Sequence, residues 1–445
     1  MSAPAASLPK NSLSTRDMAE AAKSASRLLA PLEEAKRNAA LEAMARALEA
    51  ASAELLVAND EDLRAEGEGL APATLARLKL DEAKLVEMVE QVRSVEALPD
   101  PLGRVLDAIE LDEALKLTKV SVPLGVVGVI FEARPDAVTQ IAALAVKSGN
   151  AVMLKPGREV ERTAAALVGV LRKALVGCGL PADAVSLVMG RERVQELLGM
   201  HGLVDLVIPR GSKALVEYVQ AHTRIPVLGH AEGVCHIYVD QSADEALALR
   251  VIEDAKTDYP AACNAVETVL IHRAIAAEFL PKLAERLRAK GVELHGDAMV
   301  RELLRGVEVE PVVDWHCEYG ELAVSLGVVA SMEDAMEHIH AHGSSHTESV
   351  IAEDREAAER FLREVDAASV MHNASTRFAD GFRYGFGAEV GISTSKLHAR
   401  GPVGVEGLTT YKYVLRGKGQ VVGEYRGENA KAFTHRVSKR REEMR

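Results

Sequence analysis

Short apolar runs rich in β-branched residues alternate with longer helix-period segments between residues 126 and 229, and this alternation constrains the fold more than any other feature. Strands are predicted at 126–131, 151–155, 184–189, 204–209 and 225–229, and helices at 137–147, 160–177 and 212–221. Successive strand, helix and strand segments form parallel pairs, so the pattern predicts an α/β fold with a doubly wound parallel sheet. Such sheets bind ligands at the carboxyl ends of their strands.

The flanking segments divide the chain further. Residues 15–97 have a helical pattern, and residues 104–123 alternate apolar and polar side chains around an acidic turn, which predicts a β-hairpin. A second α/β block begins near His236, and residues 408–416 are β-like. We expect four parts: N-terminal helices with a Rossmann-like domain over 1–235, a second α/β domain over 236–391, a return segment over 392–422 and a charged, solvated tail over 423–445.

The composition excludes several classes of function. At 445 residues the chain exceeds the size of one hydrophobic core, and its formal net charge of -13 argues against general binding of nucleic acid or anionic membranes. The N-terminus lacks the apolar core of a signal peptide, and no apolar run has the length of a membrane span, so a cytoplasmic protein is expected. The four cysteines form no CxxC pair, so neither a zinc site nor a disulfide framework is predicted.

Two strand ends carry residues suited to a phosphate-containing ligand. Lys155 ends the strand in AVMLKPG, where a nucleotide would lie, and a lysine that extends to solvent fits equally well. In VIPRGSKALVEYV, Gly211 and Ser212 follow a strand and begin a helix, where backbone N–H groups and the helix dipole favour an anion. An ordinary turn capped by Ser212 is the alternative. Neither GxGxxG nor a Walker loop is present, which excludes the usual nucleotide fingerprints.

One cysteine is a candidate nucleophile, and one group of histidines is a candidate metal site. Cys263, in DYPAACNAVETVLIH, lies between a polar helical run and a short apolar strand, and taken alone it is best interpreted as a buried small residue. In EHIHAHGSSH, the spacing of His338, His342 and His346 would place three imidazoles on one helical face. Gly343 ends that helix first, so no metal site is predicted.

Taken in order, these motifs resemble the aldehyde dehydrogenase superfamily and, more closely, its γ-glutamyl phosphate reductase (glutamate-5-semialdehyde dehydrogenase) family. The resemblance covers roughly residues 16–422. The matching segments are PLGVVGVIFEARPD, AVKSGN, VIPRGS, YPAACNAVETVLIH, DWHCEYG, GSSHTESVI and EVGISTSKLHARGPVGVEGLTTYKY.

The resemblance implies an enzyme that reduces L-glutamyl 5-phosphate to L-glutamate 5-semialdehyde with NADPH and releases phosphate, in L-proline biosynthesis. It implies that Cys263 is the nucleophile and forms a thioester. The residue type suits this chemistry, because a thiolate is strongly nucleophilic and a thioester is easier to reduce than an oxygen ester. Residues 1–235 would then bind the cofactor, and residues 236–391 would form the catalytic domain.

The resemblance also implies the cofactor contacts. Lys155 would contact the adenosine ribose, Gly211 and Ser212 the pyrophosphate, and Glu318 of CEYG the nicotinamide ribose. Many NAD-dependent relatives carry a glutamate three residues after the lysine, whereas this chain carries Arg158. A guanidinium suits a 2′-phosphate, so NADP is expected as the cofactor.

Departures from the superfamily pattern leave other roles open. The stretch LGHAEGVCH replaces the ELGG motif that supplies the hydrolytic base, and depending on the alignment it offers His230 or Glu232. The oxyanion asparagine is also replaced. Candidates for oxyanion or substrate binding are Asn264, Arg134, Glu132, Asn373 and Ser375, and a structural ion pair between Glu132 and Arg134 is equally compatible with the sequence.

Two other functions stay compatible with the sequence: a hydrolytic aldehyde dehydrogenase with Glu232 as base, and a noncatalytic binding or structural protein with the same fold. The resemblance further implies a homo-oligomer that assembles through the hairpin at 104–123 and the strand at 408–416, which would otherwise leave exposed sheet edges. Pathway logic suggests glutamate 5-kinase as a partner that would shelter the labile acyl phosphate.

Overall fold

The computed structural model describes residues 13–70, 72–229 and 232–437. The chain divides into two compact units: unit 1 comprises Met1–Leu228, Phe386–Val390 and Val403–Arg445, and unit 2 comprises Gly229–Gly385 and Gly391–Pro402. None of the helices within the described residues combines the length and apolar composition needed to cross a membrane.

Unit 1 begins with the predicted helical segment. The helices of this unit are α1 (Thr15–Leu29), α2 (Glu34–Ala50), α3 (Ser52–Glu66), α4 (Pro72–Leu78), α5 (Glu82–Glu96), α6 (Pro135–Lys147), α7 (Glu161–Gly177), α8 (Arg193–Leu198) and α9 (Lys213–His222). A capping box between Ser14 and Asp17 fixes the start of α1, and a proline in the first turn starts α6. Helix α6 is buried along nearly its whole length because it packs inside the unit.

The strands of unit 1 are β1 (Val105–Asp112), β2 (Leu115–Pro123), β3 (Val126–Phe131), β4 (Ala151–Pro156), β5 (Val185–Leu187), β6 (Leu206–Arg210), β16 (Thr409–Arg416) and β17 (Arg436–Val437). Strands β3 to β6 form a parallel sheet in the order β5-β4-β3-β6, which confirms the predicted α/β fold. The chain order reverses between β3 and β6, and ligands of doubly wound sheets bind at the carboxyl side of such a reversal.

The strand predicted at 225–229 is wrong. This segment forms only an isolated bridge in which Val227 pairs with Val207. The main chain of Val207 bonds to the carbonyl of Pro226 and to the N–H of Leu228, both at 2.9 Å. Since Pro226 has no N–H to donate, the pairing does not extend into a ladder.

A second, antiparallel sheet of unit 1 has the order β16-β2-β1-β17, and it contains the predicted hairpin as β1 and β2. The tail that was expected to be solvated is largely exposed, but as far as Val437 it also contacts strand β1. Ile109 pairs with Val437 across β1 and β17, and the Tyr425 hydroxyl donates to Asp112 at 2.8 Å. The remaining tail residues lie outside the described part of the chain.

Unit 2 contains the helices α10 (Glu245–Thr257), α11 (Arg273–Arg288), α12 (Ala298–Leu303), α13 (Met332–His342) and α14 (Arg355–Glu364). Its strands are β7 (Cys235–Val239), β8 (Val266–His272), β9 (Glu293–Gly296), β10 (Glu310–Pro311), β11 (Ala323–Val329), β12 (Thr347–Ile351), β13 (Ser369–His372), β14 (Ile392–Ser393) and β15 (Gly401–Pro402). The main sheet is parallel, in the order β10-β9-β11-β8-β7-β12-β13.

The core of unit 2 lies between this sheet and the helices that connect its strands. Strands β7 and β8 contribute Ile237, Val239, Val266 and Val269, which are fully buried. Burial on both faces explains why these strands appear in the sequence as almost continuous apolar runs. The segment of Cys263 connects α10 to β8 and therefore lies at the amino end of a central strand.

Candidate active site

Cys263 lies on a tight turn. The N–H of Ala265 donates to the carbonyl of Ala262 at 2.9 Å, so that Cys263 and Asn264 occupy the two central positions. The side chain of Cys263 is partly exposed. In the described part of the chain, the N–H groups of Cys263 and Asn264 have no hydrogen-bond partner. The turn thus presents a thiol together with two backbone donors.

Gly233 packs directly against the backbone of this turn. A Cβ atom at Gly233 would lie 2.0 Å from the carbonyl oxygen of Cys263 and 2.8 Å from its Cα. No side chain fits there without displacement of the nucleophile. Gly233 belongs to the stretch LGHAEGVCH, and its close approach to Cys263 was not predicted from the sequence.

A second cysteine lies behind the turn. The thiol of Cys235 contacts the carbonyl oxygen of Cys263 at 3.3 Å, and Cys235 is fully buried at the start of β7. Burial raises the pKa of the Cys235 thiol well above its usual value, so it stays protonated at neutral pH. Cys235 therefore supports the turn through packing and this contact.

The side-chain amide of Asn264, a candidate oxyanion donor, is bonded to other parts of the fold. Its Nδ2 donates to the carbonyl of Ala379 at 2.9 Å, and its Oδ1 accepts from the Arg377 guanidinium. Arg377 in turn contacts Asp258 at 3.1 Å, and Asp258 also pairs with Arg383 at 3.2 Å. Through these two hydrogen bonds, the amide of Asn264 holds the turn of Cys263 against the segment 377–379.

Asn373 and Ser375, two further candidates for oxyanion or substrate binding, have hydrogen-bond partners within the fold. Asn373 has a positive φ of 53°, and its side-chain amide pairs with both main-chain groups of Ala352, at 3.0 and 3.1 Å. The hydroxyl of Ser375 is buried and accepts from the N–H of Arg377 at 3.4 Å. These contacts shape the loop after β13.

A buried ion pair that was not predicted from the sequence flanks the turn of Cys263: Lys256 precedes the turn in the chain, and Glu267 follows it. Lys256 Nζ lies 2.7 Å from Glu267 Oε2 and 3.0 Å from the carbonyl of Val266, and both side chains are at most 1% exposed. Burial raises the pKa of Glu267 to about 7, and burial lowers the pKa of Lys256. A glutamate inside the apolar strand VETVLIH was the available sequence signal.

The segment that carries Glu318 lies in the same unit. Glu318 is partly exposed, and Gly320, two residues later, has a φ of 64° and donates its N–H to Glu267 Oε1 at 3.3 Å. Glu232 is partly exposed next to Gly233. His230, the other candidate for a hydrolytic base, lies outside the described residues.

In unit 1, the strand-end lysine is more enclosed than expected. Lys155 lies in β4 with only 4% of its surface exposed, and its ammonium donates to the carbonyl of Pro156. Burial lowers the pKa of Lys155, and the nearby carboxylates of Glu161 and Glu159 oppose this shift. Arg158 is 81% exposed and pairs with Glu66 at 2.8 Å. Its guanidinium is therefore at the surface and held by one carboxylate.

The predicted anion site at the start of α9 already holds a carboxylate. Glu132, which follows β3, accepts a hydrogen bond from the N–H of Ser212 at 2.9 Å. A Cβ atom at Gly211 would lie 2.3 Å from the same carboxylate oxygen, so only glycine leaves room for an anion here. The carboxylate therefore acts as a stand-in anion, in agreement with the general preference of helix N-termini for negative charge.

The alternative of a structural ion pair between Glu132 and Arg134 is wrong. Glu132 bonds to Ser212, and within residues 13–70, 72–229 and 232–437 the Arg134 guanidinium takes part in no hydrogen bond or ion pair. Arg134 is only partly exposed at the start of α6. Among the described residues, Arg134 is thus a cation without a protein partner that follows β3.

The helix of the histidine-rich segment ends where Gly343 predicted. Helix α13 ends at His342, so His346 lies beyond it. His338 and His342 are in ring contact, with centroids 4.6 Å apart, and burial lowers the pKa of His338 to about 3. No set of three or more His, Cys, Asp or Glu side chains among the described residues has the arrangement of a metal site.

Comparison with known proteins agrees with this geometry. Residues 10–302 match the aldehyde dehydrogenase family. The chain is 56% identical over 423 residues to γ-glutamyl phosphate reductase of Cyanothece sp., covering 94% of this chain and 97% of the relative. It is 51% identical over 427 residues to the enzyme of the same name from Natronomonas pharaonis, covering 95% and 97%.

A solved structure with the same fold is the crystal structure of γ-glutamyl phosphate reductase from Thermotoga maritima. It superimposes with a TM-score of 0.88 at 38% identity, covering 91% of this chain and 99% of that one. Membership of this group implies an oxidoreductase that acts on a small molecule with a nicotinamide cofactor. The chain belongs to the aldehyde dehydrogenase family and, within it, to the γ-glutamyl phosphate reductases.

Proposed function

We propose that this protein reduces L-glutamyl 5-phosphate to L-glutamate 5-semialdehyde with NADPH and releases phosphate, as a step of L-proline biosynthesis. The observation that carries the proposal is the turn of Cys263, in a chain 56% identical to a γ-glutamyl phosphate reductase. This turn places a partly exposed thiol beside two N–H groups that have no hydrogen-bond partner among the residues that the structure describes. All four cysteines are free, which supports the expected cytoplasmic location.

In the proposed mechanism, Cys263 gives up its proton to solvent, and its thiolate attacks the carbonyl carbon of the acyl phosphate. The bond from that carbon to the phosphate oxygen breaks, phosphate leaves, and a thioester remains on Cys263. The N–H groups of Cys263 and Asn264 donate to the oxyanion that develops. A bound nicotinamide would supply the hydride that reduces the thioester, and the oxyanion then carried on Cys263 would collapse to the aldehyde and the Cys263 thiolate.

We propose the cofactor-binding residues that the resemblance to the family implies. Lys155, Gly211 and Ser212 would bind the adenosine ribose and pyrophosphate, and Glu318 would hold the nicotinamide ribose. The stand-in role of Glu132 supports the pyrophosphate assignment, because Ser212 already donates to an oxyanion. Glu132 would have to leave Ser212 when the dinucleotide binds. Arg134 is proposed as a further ligand for an anionic group.

Substitution of Arg158 tests the proposed preference for NADPH over NADH. The guanidinium is exposed and held only by Glu66, so we propose that it turns to the 2′-phosphate. Arg158→Ala is expected to raise the KM for NADPH about tenfold, the value of one charge-assisted hydrogen bond, and to leave the KM for NADH unchanged. Steady-state kinetics with both cofactors measures this.

The matched control is Arg64→Ala, because Arg64 is also exposed and pairs with one carboxylate, Asp60, on the same helix α3 as Glu66. Arg64→Ala should change neither KM. Equal changes for NADPH and NADH in Arg158→Ala would contradict a 2′-phosphate contact.

Inorganic phosphate separates the proposed reductase from a hydrolytic aldehyde dehydrogenase. Purified protein is given L-glutamate 5-semialdehyde and NADP, with and without phosphate, and NADPH formation is followed. A reductase of acyl phosphates run in reverse needs phosphate to cleave the thioester, so turnover is expected only when phosphate is present. Turnover without phosphate would make water the acceptor and favour Glu232 as the base.

We also propose that unit 1 mediates self-association through its antiparallel sheet. Tyr411, Tyr413 and Leu415 of β16 are all exposed, with Tyr413 at 62%, and β16 is an edge strand of that sheet. An exposed apolar edge strand favours pairing with another chain. An association with glutamate 5-kinase stays a prediction from pathway logic.

A further inference from the structure

Two segments of unit 2 with proposed catalytic roles meet at one buried carboxylate. Lys256 lies in the last turn of α10, before Cys263, and Glu267 is the second residue of β8, after it. Glu267 Oε2 contacts Lys256 Nζ at 2.7 Å, and Glu267 Oε1 accepts from the N–H of Gly320 at 3.3 Å. The two oxygens of one side chain therefore join both ends of the nucleophile turn to the segment of Glu318.

Stability alone is a poor explanation for this pair. Two buried charges lose their hydration, and an apolar pair of similar volume is often equally stable or more stable. Each side chain of the pair also bonds to the main chain. Lys256 donates to the carbonyl of Val266, and Glu267 accepts from the N–H of Gly320. The Gly320 contact reaches a segment more than fifty residues away in sequence, and it is the contact that an apolar pair would lose.

We propose that Glu267 is a positioning residue for the reaction, whose carboxylate, held by Lys256, fixes the turn at Gly320 and so orients Glu318 toward the nicotinamide ribose. The inference rests on the proposed function, since the contact of Glu318 with the cofactor is part of it. Glu267 acts through Gly320 and Glu318 and does not touch the substrate.

Ionisation of Glu267 gives the proposal a pH dependence. Burial raises the pKa of Glu267 to about 7, and the charged or titratable groups that interact with it are Lys256, Glu318, Cys235, Cys317 and Tyr319. Above this pH the carboxylate is charged and accepts strongly from Gly320. Below it the carboxyl is protonated and accepts weakly, so the KM for NADPH should rise as the pH falls through about 7.

A pair of double variants isolates the Gly320 contact from the buried charges. Lys256→Met with Glu267→Gln removes both charges and keeps an oxygen that accepts from Gly320. Lys256→Met with Glu267→Leu removes the charges and the acceptor. The Gln variant should keep the KM for NADPH within about twofold of the wild type at pH 8, and the Leu variant should raise it about tenfold, the value of one hydrogen bond. Both should lose the change of KM around pH 7.

Equal KM values for NADPH in the two double variants, with equal midpoints of thermal unfolding, would overturn the inference. If the Leu variant does not fold, hydrogen exchange of the Gly320 amide is measured in the wild type. The protection of this amide from exchange should fall as the pH falls through about 7. Constant protection would overturn the inference. An inactive wild type in the same assay would reject the proposed function instead, because the inference concerns only differences between active proteins.

Discussion

Cys263→Ala is expected to abolish the reduction of L-glutamyl 5-phosphate, with a loss in kcat of about 10⁴-fold or more, as found when a covalent nucleophile is removed. The thiol is the partly exposed group at the centre of the turn from Ala262 to Ala265, and the two N–H donors beside it have no reacting atom to act on without it. The fold should survive, because a methyl group fits where the thiol was. Phosphate-dependent turnover and thermal unfolding, measured on the same preparation, check both expectations.

Cys178→Ala is the matched control, since Cys178 is also a partly exposed free thiol but lies in unit 1, after α7. It should keep full activity. Labelling with a thiol reagent adds a second measurement, in which one fast-reacting cysteine disappears in Cys263→Ala and persists in Cys178→Ala. Turnover that survives in Cys263→Ala would mean that this residue is only a packing residue.

Gly233→Ala is expected to lower kcat by about 10²-fold, the typical result when a reacting group is displaced by about 1 Å. A Cβ atom at Gly233 would lie 2.0 Å from the carbonyl oxygen and 2.7 Å from the carbonyl carbon of Cys263, both of which are main chain. The backbone of the turn must shift to admit the methyl group. The shift moves both the thiol and the N–H donors away from their positions.

Gly169→Ala provides the control for the general effect of replacing glycine with alanine. Gly169 lies within α7, and a Cβ atom there would have no neighbour within 4 Å. The substitution should leave kcat unchanged and raise stability slightly, because alanine favours the helix. Wild-type kcat in Gly233→Ala, measured under the same conditions, would show that the turn tolerates displacement.

Much of the fold followed from local pattern. Strand β3 was predicted with its exact observed bounds, Val126–Phe131, because a strand buried on both faces has a continuous apolar sequence. The helix ending at His342 was predictable from Gly343, which ends the periodic segment. The prediction of a strand at 225–229 was wrong. The segment forms one bridge, between Val227 and Val207, and the pairing does not extend because Pro226 has no N–H.

The site was less predictable, because its geometry depends on contacts between residues far apart in the chain. Gly233 lies against Cys263, and Glu267 reaches Gly320, and neither contact has a periodic sequence signature. Asn264 was expected to donate to an oxyanion, and its sequence position beside Cys263 gave no sign that Arg377 and Ala379 would take its amide. Local sequence predicts which residues are near the nucleophile but not the partners that determine their roles.

The carboxylate of Glu132 on the N–H of Ser212 has a consequence for competition at the nucleotide site. Because Glu132 is tethered by the chain, it faces that N–H at an effective concentration of about millimolar or more. Inorganic phosphate, a product of the proposed reaction, would have to exceed this concentration to displace it. A dinucleotide brings many further contacts and displaces it at much lower concentration. If Ser212 binds the dinucleotide as proposed, the tethered carboxylate would protect the site from inhibition by small free anions and reserve it for the larger ligand.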